Sequence, residues 1–440
     1  MAVNTDKKFR NQVIYSVFVR NYSNEGSFAA LRRDLRRIKE LGVDILWLMP
    51  IHPIGIENRK GKSGSPYAIS DYRSINPEYG TLEDFAQLVD DIHSHGMKCM
   101  IDVVFNHTSP DSWLRNHHPE WFYHKPDGHF GNKIGEWLDV IDLDYSNRQL
   151  WDYLIETLEY WAALVDGFRC DVAPLIPLDF WLEARRRIEL IHPGFFWLSE
   201  SVEPVFTVEN RARGMVSLSD SEIFQAFDAC YDYDIFDMFM RYLKGEIPLS
   251  RYAESINQQE AIYPDNYIKL RFLENHDRSR AAFLFEDEGI LLNWTAFMYF
   301  QKGMTLLYAG QEIACRHLPS LFEKDPINWC GSKNLTGLIK TLYNIKQKKI
   351  FSDSRYEVKA CPFDILFASH TSQNETVYGI FSLRGNSAVI SVPAADGTYL
   401  NLVDKKSFEI HQGMMYCGGQ PIIFSAVKGD NSSGHPELSW

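Results

Sequence analysis

The chain has 440 residues, with 45 Lys+Arg against 58 Asp+Glu and a formal net charge of −13. That balance argues against the basic surface of a nucleic-acid binder, and no run approaches the ~18 apolar residues of a membrane-crossing helix. With 45% hydrophobic and 23% charged residues the composition is globular rather than disordered; at roughly 150 residues per domain it predicts two or three domains, or one large barrel with additions.

The first ten residues are polar and charged and carry no apolar stretch of the kind a secretory leader needs. Eight short apolar, β-rich runs follow, at residues 13–22, 45–51, 98–107, 165–173, 195–201, 226–232, 267–277 and 305–312. Helical periodicity lies between several of them. In 28–41 it is carried by Leu31, Leu35, Ile38 and Leu41. Thr81 opens a second helix with Phe85, Leu88, Val89 and Ile92 as its buried stripe, and Gly96 closes it. Residues 150–164 and 178–190 follow the same pattern. Eight strands alternating with helices over ~250 residues or more predict an α/β fold, a (β/α)8 TIM barrel.

One βα unit takes roughly 30 residues, yet Asp102 and Asp171, near the ends of the third and fourth strands, are 171 − 102 = 69 apart. The excess predicts a small inserted domain over 108–145, rich in Pro, Gly, His and Trp, so that the barrel comprises 1–107 and 146–350. Short runs at 365–369, 377–383, 388–392, 399–403 and 421–427 predict an antiparallel β-domain over 351–428. Residues 429–440 form a polar tail. The seven cysteines are scattered, odd in number and never in CxxC spacing. Free thiols in a reducing cytoplasm are therefore expected.

Active sites of such barrels lie at the C-terminal strand ends. There the sequence places Asp102, Asn106 and His107 on strand three, Arg169 and Asp171 on strand four, Glu200 on strand five, and Asn275, His276 and Asp277 on strand seven. Any one of these is ordinarily a cap or an ion-pair partner. Acids on strands four, five and seven converging on one mouth would destabilise an ordinary protein, and they suit a cationic transition state. Glycoside cleavage needs two carboxylates around an oxocarbenium-like state, and a separation of about 5–5.5 Å gives retention.

The segments DVVFNH (102–107), GFRCDVA (167–173), LSES (198–201) and FLENHD (272–277) resemble, in order and spacing, the signature regions of the α-amylase family of glycoside hydrolases. GSPYAISDYRSINPEYGT (64–81), DILWLMP (44–50) and GMTLLYAGQE (303–312) are similar to family patterns too, so the resemblance covers nearly the whole chain. It implies retaining hydrolysis of α-glucosidic bonds in starch-, glycogen- or maltodextrin-type glucans, with Asp171 as nucleophile, Glu200 as acid/base and Asp277 as third acid. Arg169 would hold Asp171 ionised, His107 and His276 would bind the sugar before the cleaved bond, and Tyr67 would stack under it. Asp102 would support Arg169, and Glu274 and Asn275 would be structural.

No cofactor is implied for the chemistry. A structural calcium would involve Asn106 and Asp142, although Leu175 stands where a further ligand is common. Asp325 is either a sugar contact or a turn residue. Trp113, Trp121, Phe122 and Tyr123 either line a glucan groove or pack the insertion. The absence of a β-domain before Val13 argues against cyclodextrin-degrading dimers; the oligomeric state is otherwise open. Val172, after the nucleophile, is common in α-1,6-glucosidases, whereas the length favours α-1,4 action. A 4-α-glucanotransferase on the same site is the nearest alternative, and a non-catalytic glucan-binding or transport subunit is a remote one.

Overall fold

The computed structural model describes residues 4–135, 137–331 and 333–427. Eight parallel strands close into a barrel: β1 (Val13–Val17), β2 (Ile45–Leu48), β3 (Lys98–Val103), β6 (Gly167–Cys170), β7 (Phe196–Ser199), β8 (Ala229–Tyr231), β9 (Lys269–Arg271) and β10 (Met304–Tyr308), in the order β1-β10-β9-β8-β7-β6-β3-β2. β1, β2 and β10 are buried at every position, as expected for strands covered on both faces. Seven of the eight observed strands lie inside their predicted runs, β10 starting one residue earlier at Met304, and each stops short of the residues that end the run. Those residues stand in the loops at the barrel's C-terminal mouth.

The helices form where caps and stripes coincide. Helix Leu82–Ser94 opens on a capping box between Thr81 and Asp84, buries Phe85, Leu88, Val89 and Ile92, and ends before Gly96, whose φ is +68°. Helices Arg148–Ala162 and Leu178–Ile191 also follow the sequence pattern. The helix expected over 28–41 is instead two short ones, Phe28–Arg32 and Leu35–Glu40. Asp34, at the break, accepts the Tyr22 hydroxyl at 2.7 Å and pairs with Arg37, so a tertiary contact overrides the periodicity. No helix among the described residues is long and apolar enough to cross a membrane.

Between β3 and β6 the chain makes its excursion. Its root is a short antiparallel ladder of β4 (His107–Thr108) and β5 (Ile141–Asp142), with His107 opposite Asp142. After the barrel come β11 (Arg355–Cys361), β12 (Ile365–Thr371), β13 (Glu375–Ser382), β14 (Ala388–Ser391), β15 (Gly397–Leu400), β16 (Ser407–Ile410), β17 (Met414–Cys417) and β18 (Ile422–Val427). They form an antiparallel sheet β11-β12-β13-β18 and the pairs β14–β17 and β15–β16. The sequence runs anticipated β12, β13, β14, β15 and β18 but not β11, β16 or β17. The expected tail, 429–440, lies outside the described residues.

Candidate active site

The strand ladder carries the acids to one level. The Asp171 N–H donates to Val103 O at 2.9 Å and the Glu200 N–H to Cys170 O at 3.0 Å. The two residues therefore leave neighbouring strands side by side. Asp102 on β3 stands opposite Arg169 on β6.

Arg169 is fully buried and organises the cluster. Its Nη1 lies 2.9 Å from Asp102 Oδ1 and 2.8 Å from Asp171 Oδ1, and its Nη2 lies 3.0 Å from Glu200 Oε1. Tyr231 Oη accepts from its Nε at 3.3 Å, and the Trp47 ring lies 5.1 Å from its Cζ. Asp102 thus holds the guanidinium from behind, as anticipated. Beside it, Tyr67 Oη lies 2.7 Å from His276 Nε2 and donates to Asp102 Oδ2 at 3.2 Å. The Tyr67 and His276 rings stack at 5.5 Å, and His276 Nε2 pairs with Asp277 Oδ2 at 3.0 Å. Asp277 keeps 40% of its side chain exposed at the mouth. Glu274 is bound by Arg280 and the Ala281 N–H, and Asn275 donates to Tyr233 Oη; both are structural contacts.

One guanidinium faces three carboxylates, and the protonation pattern follows from that. Burial pushes Asp102 and Asp171 up to about 6, against the pull of Arg169. Arg169 therefore lowers Asp171 against its burial, and so favours the ionised form. Burial also lifts Glu200, to about 7; Arg169 opposes this, whereas the Asp171 and Asp277 charges reinforce it. Asp277 goes the other way. Burial would raise it, but His276, Arg169 and Arg278 bring it down to about 2. Burial lowers His107, whereas His276 is raised because the charge of Asp277 outweighs its burial. Of the four acids, Glu200 holds a proton to the highest pH.

A local distortion aims this group. Val172, directly after Asp171, has φ +35° and ψ +41°, a left-handed conformation that a β-branched residue rarely adopts. The turn directs the Val172 N–H to Glu200 Oε2 at 2.8 Å.

A cavity of about 270 Å³ opens onto the cluster, lined by Tyr67, His107, Asp171, Glu200, His276 and Asp277. Lys60, Trp137, Asp139 and Phe322 line it as well. These four lie in loops without periodic pattern, so a search of strand ends does not find them. Asp325 does not line it: its carboxylate accepts His317 Nε2 at 2.7 Å and the Ser320 N–H at 2.9 Å, a turn contact. Trp121 and Phe122 are buried in the insertion, whereas Trp113 is 41% exposed and stacks on His117.

Asn106 and Asp142 do meet. Asn106 Nδ2 lies 3.4 Å from Asp142 Oδ1, and the Lys133 N–H donates to Asp142 Oδ2 at 2.7 Å. Both carboxylate oxygens thus already accept protein donors. No group of three or more His, Cys, Asp or Glu among the described residues converges as a metal site. Calcium takes six to eight oxygens. Asn106 and Asp142, already engaged with protein donors, do not fit it.

A family model for the α-amylase catalytic domain matches residues 12–133 and 110–354. The chain belongs to the α-amylase family. A second model, for the bacterial α-amylase C-terminal domain, matches residues 357–424. Among solved structures, an α-amylase from Lactobacillus plantarum is 47% identical with a TM-score of 0.94, over 96% of this chain and 100% of that one. The maltogenic α-amylase AmyB from Thermotoga neapolitana is 32% identical with a TM-score of 0.86, over 96% and 100% of the two chains. Among curated relatives, an α-1,4-glucan:maltose-1-phosphate maltosyltransferase from Myxococcus xanthus is 33% identical over 277 residues, 57% of this chain and 39% of that protein. The α-amylase MalA from Haloarcula japonica is 25% identical over 417 residues, 89% of this chain and 58% of that protein. This α-amylase-family chain thus spans about two fifths to three fifths of the length of those two curated relatives.

Proposed function

We propose that the chain hydrolyses α-1,4-glucosidic bonds in maltodextrin- or glycogen-type glucans with retention of configuration. The observation that carries this reading is the single Arg169 guanidinium that holds Asp171 and Glu200 on one cavity with Asp277 beside them. Two carboxyls held by one guanidinium suit the closely spaced, retaining class; inverting enzymes need room for a water between them.

In the first step Asp171 Oδ attacks the anomeric carbon. The bond from that carbon to the glycosidic oxygen breaks, and Glu200 gives its proton to the departing oxygen. In the second step water attacks the same carbon, its proton returns to Glu200, and the bond to Asp171 breaks. Glu200 suits the role because burial and neighbouring charge keep it protonated up to about 7. Asp277, ionised throughout, stabilises the cationic ring. Tyr67 offers a flat face beneath that ring, with His107 and His276 at its edge.

Proton NMR of fresh products from maltoheptaose tests the reading. The α-anomer should appear first, and Asp171→Asn should lower turnover about 10³-fold or more without loss of fold. A β-anomer appearing first, or a variant of near-native activity, would overturn it. The maltosyltransferase relatives favour a second outcome, capture of the glycosyl-enzyme by a sugar hydroxyl; added glucose would then yield longer products. A cytoplasmic setting is supported by seven cysteines that are all free.

A further inference from the structure

One side of the cavity is walled by three segments that are far apart in the chain. The loop after β2 runs across them as a strap. At its start it is fastened to the insertion: Asp111 Oδ2 accepts the N–H of Ile56 at 2.8 Å and of Glu57 at 3.3 Å. A Cβ on Gly55 would lie 2.2 Å from Ser109 Cβ, so only glycine allows this approach. In mid-span Lys60 Nζ pairs with Asp139 Oδ1 of the insertion at 2.8 Å. At its far end the strap is fastened to the loop after β10. The Lys62 N–H donates to Glu323 Oε1 at 3.0 Å and the Ser63 N–H to Phe322 O at 3.0 Å. Arg20, only 2% exposed, clamps both loops from beneath, donating to Gly64 O at 2.9 Å, Ser63 O at 3.0 Å and Leu321 O at 3.4 Å. Asn21 donates to Ser320 O at 2.7 Å in the same loop.

The strap leads directly into Tyr67, whose N–H donates to Ser65 Oγ at 3.2 Å. It therefore stands on the side of the sugar that Asp171 would retain. Past Glu200, the Glu203–Arg278 pair, 2.8 Å apart, lies outside the cavity. A cavity of about 270 Å³ is below the usual range of roughly 300–1,000 Å³ for drug-sized ligands. It has room for about one or two hexose rings.

We propose that the strap, with Lys60, Asp139, Trp137 and Phe322 as its inner face, blocks the glycone end of the cleft, so that a glucan is taken by its non-reducing end and shortened by one or two units per cut. The inference rests on the glucan-hydrolase reading above and adds the direction and size of the bite. Trp137 and Phe322 offer flat faces to the terminal ring, and Lys60 offers a donor to its hydroxyls.

The test uses two maltoheptaoses, both fluorescently labelled at the reducing end, one of them also capped by a cyclic ethylidene acetal on the terminal non-reducing glucose. The full chain should shorten the free-ended substrate stepwise, leaving the label on long fragments first, and should cut the capped one ~100-fold more slowly. Phe322→Ala and Lys60→Ala, each checked by its melting curve, should raise the capped-to-free rate ratio at least several-fold. Comparable cutting of both substrates by the wild type, or short labelled fragments appearing first, overturns the strap inference and leaves the hydrolase reading intact. If neither substrate is cut, the hydrolase reading fails and takes this inference with it.

Discussion

Glu200 and Asp277 line the same cavity, yet their surroundings drive them in opposite directions. Glu200 is buried among like charges and rises from an ordinary 4.5 to about 7; Asp277 has a histidine and two arginines near it and falls from 3.8 to about 2. Because the acids interact, the limbs of a pH profile belong to the cluster. We expect kcat/KM to decline as the pH rises through about 7, where the acid loses its proton; a profile flat from pH ~5 to ~9 would refute a buried acid. The same shift carries a stability signature. A carboxyl whose folded value lies above its unfolded one adds stability below the unfolded value and loses it as pH rises through the folded one. Glu200→Gln should therefore melt increasingly above wild type as the pH rises from ~5 through about 7. An offset that does not grow with pH in paired thermal melts would contradict the shift.

Among the elements, the turn after β6 and the root of the insertion are the most informative. Left-handed Val172 costs on the order of 1–3 kcal/mol and fixes the N–H that Glu200 accepts. Val172→Gly should leave Tm unchanged or higher while lowering kcat; a clear loss of Tm would mean that the turn is unstrained. At the insertion root, Asn106 and Asp142 pin β4 to β5 through side-chain and backbone bonds. Dialysis against EDTA should accordingly leave Tm and activity unchanged, whereas a fall reversed by added calcium would reinstate the ion. The barrel strands were legible because both their faces are buried, which makes each a continuous apolar run. The acids were legible because they close those runs. β16 and β17 were not: each is only four residues long and alternates exposed with inward positions, as in Glu409 beside Ile410 and Tyr416 beside Cys417, so neither makes a continuous apolar run. The Lys60–Asp139 pair was invisible for a different reason, since two loop residues 139 − 60 = 79 apart leave no local signal of their meeting.

At the scale of the molecule, the C-terminal sheet is part of the barrel's own packing. Tyr356, Val358, Leu366, Val377, Phe381 and Ile423 belong to the same apolar core as helix Glu288–Phe300. Phe297 and Phe381 lie 5.3 Å apart, and Asn293 Oδ1 accepts the Ser382 N–H at 2.8 Å. A chain ended at residue 354 would leave that helix face in water. It should lack the single cooperative melting transition expected of the full chain; a truncated protein that melts cooperatively would show the barrel to be self-sufficient. The strap along one side of the cavity reaches further still, into what the protein would count as substrate. A cleft closed at its glycone end, as we propose, would admit a chain end and discharge the clipped sugar by the same route, so a polymer could not slide through it from one cut to the next. To such a catalyst a glucan is a concentration of tips. At equal mass, many short dextrins or a heavily branched particle would be consumed faster than a few long chains, and the released sugar would hold back its own formation by waiting in the doorway.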